Sequence, residues 1–141
     1  MRDAKKFLDE IFKLNIRINA KQKEIDILNS LLYKLNQELS ADRIKSSGDQ
    51  DPIGNTIAKL IDARTEINNM IDEYVDKLAE VRVVIEQVED VKEYDLLHKH
   101  YIENMNWAEI ADEWGQSYTW VHEIKNNAIA SVQKILDKVA I

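Results

Sequence analysis

Near the carboxyl end, Tyr118, Thr119, Trp120, His122, Glu123, Lys125 and Asn126 bring hydrogen-bonding groups and rings together within nine consecutive residues. Amides, hydroxyls and an ammonium are the groups that pair with base edges and phosphate oxygens. A glutamate can accept from cytosine, and an aromatic edge can touch a thymine methyl. A histidine among them would make such contacts sensitive to pH. His98 and His100, with Glu103 nearby, suggest metal chemistry at first sight. Two residues apart on a helix they point to different faces, whereas helical ligand pairs need a spacing of three or four, so they read as ordinary, partly exposed histidines. Of the three tryptophans, Trp114 falls at a core position and Trp107 is expected to pack against the preceding helix. Trp120 alone is expected to be free for a ligand or partner. No Gly-rich phosphate loop, nucleophile elbow or H-E-x-x-H is present, so neither an enzyme nor a cofactor or metal is expected.

The elements that must position these residues lie in 107–124, WAEIADEWGQSYTWVHEI. Ile110, Ala111 and Trp114 share one face of a short helix, Gly115 supplies a turn that needs φ > 0, and Val121 and Ile124 return the next helix onto the first. Ala111 is small because the second helix crosses close above it. Asn106 with Glu109 forms a capping box for the first helix, and Ser117 caps the second. The second helix is expected to continue through Ala128, Val132 and Ile135. These are the requirements of a helix-turn-helix, a motif that usually sets its second helix in the major groove.

Ahead of the motif run two heptad stripes. The first is Phe7, Ile11, Leu14, Ile18, Lys21, Ile25, Leu28, Leu32, Leu35 and Leu39, broken only by Lys21, and predicts one helix over about 3–43. The second is Ile57, Leu60, Arg64, Ile67, Ile71, Tyr74, Leu78, Val81, Ile85 and Val88, broken only by Arg64. Between them, 45–55 (KSSGDQDPIGN) is the chain's clear loop, with Asp51 before Pro52 or Asn55 as the cap of the following helix. The pattern predicts an all-α fold in two domains: an antiparallel coiled-coil helical hairpin over 1–89 and a helix-turn-helix module over 90–141. Lys21 would then face the region near Asp76, and Arg64 the region of Tyr33. A third helix with Val91, Tyr94, Leu97 and Tyr101 on one face precedes the motif. A two-helix hairpin covers its seam only in part, so a homodimer or higher oligomer through it is expected; the alternative is that the C-terminal helices fold back over the seam.

Composition agrees with long helices: 32% of the 141 residues are charged, with 3 Gly, 1 Pro and no Cys. No apolar run of membrane-spanning length occurs, and the first residues, MRDAKKFLDEIFKL, are interrupted by charges, which predicts a cytoplasmic protein without membrane contact. The net charge of −7 works against phosphate binding, and residues 90–141 hold 5 Lys and no Arg against 9 Asp and Glu, a net of −4. Binding to DNA would then need paired half-sites, basic side chains from the hairpin such as Lys5, Lys6 and Arg43, or a partner.

The segment EYDLLHKHYIENMNWAEIADEWGQSYTWVHEIKNNAIASVQKIL resembles region 4 of bacterial sigma factors. The likeness rests on Tyr94, Leu97, Tyr101, Ile102, Trp107, Glu109, Ile110, Ala111, Gly115, Ser117, Val121, Ile124 and Ala128. The whole arrangement is similar to sigma-region-4-like phage and prophage late-gene regulators of the RinA and ArpU type. That resemblance implies sequence-specific DNA binding in control of phage operons, with RNA polymerase as a further partner. It departs from the sigma pattern at the exposed positions, where Arg or Lys is common and Lys125 is the one lysine here. The competing expectation is an adaptor that docks polymerase or another phage protein without reading DNA. A purely structural coiled coil would leave the spacing of Ala111, Gly115 and Val121 without a reason.

Overall fold

A computed structural model of the chain describes residues 2–42 and 51–139. Every regular element in them is helical: α1 (Ala4–Asp42), α2 (Pro52–Ile85), α3 (Val91–Leu97) continued by a π-helical turn (His98–Ile102), α4 (Trp107–Trp114) and α5 (Tyr118–Val139). None of these helices is long and apolar enough to cross a membrane. Arg43 and residues 45–50 of the expected loop lie outside the described residues. The expected loop ended at 55, but α2 already starts at Pro52. Asp51 caps it, its side chain accepting from the Gly54 N–H at 2.9 Å, and proline fills the first position, where no N–H is needed.

The described helices divide into two compact units, Leu14–Glu73 and Met1–Lys13 with Tyr74–Ile141. In the first, α1 and α2 meet through Ile25, Leu60, Ala63 and Ile67, flanked by Ile18, Leu28 and Leu32. The seam of α2 is offset by one residue from the sequence expectation at three places. Thr56 and Ala63 are buried and Met70 is half-buried, whereas Ile57 and Ile71 are each 41% exposed and Arg64 lies in solvent. Small side chains at the crossing let the helix axes approach, and the Thr56 hydroxyl is satisfied within its own helix by donating to the Pro52 carbonyl at 2.7 Å. Lys21 is the one polar break that stays in the seam. It reaches Glu66 at 2.6 Å and Glu24 at 2.7 Å, not the Asp76 region, and hydrogen bonds to Glu24 and then Glu66 hold its pKa above the usual lysine value.

The second unit has the larger core. Ala4, Phe7, Leu8 and Ile11 of α1 meet Val81, Val84 and Ile85 of α2, together with Leu97, Tyr101 and the Ala128, Val132, Leu136 stripe of α5. The buried stripe of α5 ends on Leu136, four residues after Val132, with Ile135 half-buried against the same core. At this end of the α1–α2 seam the cover comes from the chain's own α5. Gln133 fastens it: its amide oxygen accepts from the Ala4 N–H and its amide nitrogen donates to the Arg2 carbonyl, both at 2.8 Å. That satisfies a backbone donor that the start of α1 would otherwise leave unpaired. The 89/90 boundary read from the sequence falls inside this unit.

Candidate nucleic-acid interface

Asp90 starts α3, its carboxylate accepting from the Lys92 and Glu93 N–H groups at 3.0 Å. Two adjacent leucines of α3 then serve different clusters. Leu97 belongs to the core shared with α1 and α2, and Leu96 is fully buried with Ile110, Ala111 and Val121. Val91, expected on the buried face, is 79% exposed. The π-helical turn widens the backbone after Leu97, with the Glu103 N–H donating to the His98 carbonyl. Asn104, at φ 67°, and the Met105 N–H, donating to the Lys99 carbonyl, then turn the chain into α4.

Asn106 and Glu109 close the capping box at the start of α4, at 2.8 and 3.0 Å. At its end Gly115 has φ 66° and ψ 34°, with its N–H directed to the Asp112 carbonyl and the Gln116 N–H to the Ala111 carbonyl. That is the Schellman pattern. A Cβ at Gly115 would meet nothing within 4 Å, so a side chain there would cost about 1–2 kcal/mol through backbone conformation alone. Ser117 caps α5 by accepting from the Trp120 N–H at 3.1 Å. Ile110 and Val121 are fully buried and Ala111 is nearly so; Trp114 and Ile124 are half-buried against them.

On α5 this geometry brings together five of the seven expected residues. Tyr118, His122 and Lys125 recur at four and three, with Thr119 and Asn126 beside them on the same side. Tyr118, Thr119 and Asn126 are exposed, and His122 and Lys125 are half-buried. The Tyr118 and His122 rings lie 4.4 Å apart. Glu123 is exposed at the edge of this face. Trp120 is not free as expected: it is half-buried and turned to the other side of the helix, where it meets Trp114 edge to face at 5.8 Å. Lys92 of α3 sits over both rings, at 4.8 Å from Trp114 and 5.6 Å from Trp120.

Trp107 packs against the preceding helix, as expected, and borders the exposed face of α5. It lies beside His122 (ring centroids 6.4 Å) and beneath the Lys125 ammonium (5.4 Å). His100 stacks on it from below, 3.6 Å between ring centroids, and its Nδ1 is 2.6 Å from the Met105 carbonyl. A helix-by-helix reading misses this pairing because Trp107 and Lys125 belong to different elements. His98 lies apart, 2.8 Å from Glu103. Among the described residues no group of three His, Cys, Asp or Glu is placed to hold a metal ion.

Burial lowers the pKa of His100 below the usual value of 6.5, and this outweighs the opposing bond to Met105. The unfolded chain therefore binds a proton here at a pH where the folded chain does not. Stability from this group is complete above about 6.5 and is lost as pH falls toward the depressed folded value. The unfolding midpoint should drop on acidification through that window, and His100→Gln should flatten the slope. An unchanged slope in the variant would place the pH dependence elsewhere.

A family model described as "Protein of unknown function (DUF1492)" matches residues 37–133, more than half of the chain. The chain belongs to this family. The matched DUF1492 span includes α2, α3, α4 and the part of α5 that carries the exposed face. Comparisons with curated proteins and with solved structures give no match.

Proposed function

We propose that this DUF1492 protein is a sequence-specific DNA-binding transcription regulator, phage- or prophage-encoded and acting on phage operons from the cytoplasm. In this reading α4 and α5 form a helix-turn-helix of the sigma region 4 kind, α5 enters the major groove, and α1 with α2 forms a hairpin that joins copies of the chain. The observation that carries it is the exposed face of Tyr118, Thr119, His122, Lys125 and Asn126 in the first turns of α5, held by a Gly115 turn over a buried Ala111. Donors and acceptors at the start of a second helix are what base readout needs. Lys125 supplies one phosphate-neutralising charge per copy, with Lys5 and Lys6 exposed on α1. Two copies using Lys125 alone would give a salt slope of only about −2. The test is fluorescence anisotropy of the full chain on duplexes of its native host's genome. A duplex bound well above random DNA, with that shallow slope, is expected. Equal, weak binding to all duplexes would defeat the reading.

One observation favours a protein-docking role instead. The Lys92, Trp114, Trp120 cluster lies on the side of α5 turned away from Tyr118 and His122, where aromatic rings and a cation suit a protein interface. In that case Trp120→Ala would release a partner such as RNA polymerase, and DNA affinity would stay negligible at every salt concentration.

A further inference from the structure

The α1–α2 seam in Leu14–Glu73 leaves one flank of α2 with a second stripe that none of the described residues covers. Ile57, Ile61, Arg64, Asn68 and Ile71 follow one another at steps of four and three along one side of the helix. The three isoleucines are 41%, 57% and 41% exposed, and Arg64 and Asn68 are exposed between them. On one border of the stripe Leu60 and Ile67 turn into the seam, so that side is closed. On the other border Ala58 and Thr65 are small and exposed, leaving room for a helix to approach.

Any stripe of alternating fours and threes is mirror-symmetric in position; here the pattern of apolar and polar residues is symmetric as well. About the level of Glu66, Ile61 and Ile71 lie five residues to either side, and Arg64 and Asn68 two residues to either side. We infer that two copies of this chain pack antiparallel along α2 about a twofold axis at the level of Glu66. Ile61 then meets Ile71 of the second copy, and Arg64 meets Asn68 of the second copy.

Charge decides the direction. A parallel pair would set Arg64 against Arg64 in the middle of the interface. The antiparallel pair sets each guanidinium against an amide oxygen, with Asp72 of the second copy one turn further on. The closed twofold also uses up the stripe, since each copy presents the same patch to the other and no open end remains. This pairing stands whether or not α5 reads DNA.

Sedimentation equilibrium on the full chain, on Ile61→Glu, on Ile71→Lys and on an equal mixture of the two variants tests it. The wild type is expected at the mass of two chains. Each variant alone is expected at the mass of one, because a charge then faces isoleucine twice, with the helix content unchanged since both positions are exposed. The mixture is expected to return to two chains. The carboxylate introduced by Ile61→Glu in one chain then meets the ammonium introduced by Ile71→Lys in the other, and the remaining Ile71 meets the remaining Ile61. A wild type at one chain's mass, or variants that keep the mass of two, would overturn the pairing. So would a mixture that stays at one chain's mass, because only the antiparallel register joins the two substituted positions.

Discussion

Leu96→Ala should destabilise the protein by about 3 kcal/mol, measured as the loss of unfolding free energy in chemical denaturation. Leu96 is fully buried and lies where α3, α4 and α5 meet, against Ile110, Ala111 and Val121. The gap left by its truncation has little means of closing. Asp90 fixes the start of α3, and Leu97, the very next residue, is held in the other cluster of the same unit. The helix therefore cannot slide toward α4 without pulling Leu97 out of place, so the cavity term adds to the lost transfer energy. With a total stability of roughly 5–15 kcal/mol for a typical domain, this is a large fraction. Val91→Ala on the same helix is the control: the residue is 79% exposed, and a change within about 0.5 kcal/mol is expected. A Leu96 loss as small as that of Val91 would mean that α3 does not support the α4–α5 pair.

The second large effect concerns recognition. Replacing Thr119, His122, Lys125 and Asn126 together by Ala should remove discrimination between a cognate duplex and a scrambled one, a change of about 100-fold or more. Two good base contacts at about 1–3 kcal/mol each are enough for that. Folding should survive, because all four positions are exposed or half-buried and alanine is the best helix former. Competition between the two duplexes at one fixed salt concentration is the measurement, since salt alone moves both affinities. Discrimination that persists in this variant would mean that α5 does not read the bases.

What the sequence made legible was local chemistry. Asn106 with Glu109, Ser117 and Gly115 each act within one turn of the chain, through bonds that depend on a few neighbouring residues, and each appears where the spacing predicts it. The seams were legible only as stripes. Whether Ile57 or Thr56, and Arg64 or Ala63, faces α1 depends on how closely two helices approach, which one helix's periodicity does not contain. The same holds for Leu136 over Ile135 on α5. Leu96 was missed because α3 is buried on two sides, so its apolar residues do not form a single stripe. On the candidate site, helical position correctly groups Tyr118, Thr119, His122, Lys125 and Asn126. It places Trp107 against the preceding helix, where His100 stacks on it, but misjudges Trp120, whose position is set by Trp114 on another helix.

Selection of bound sequences from a pool of random duplexes, with the purified full chain and with a Tyr118/Lys125/Asn126→Ala variant, decides whether α5 reads DNA. The wild type is expected to enrich one short motif, repeated in two half-sites if two copies bind together, and the variant to enrich none. A pool that stays random with the wild type, or the same motif returned by both proteins, would contradict that expectation.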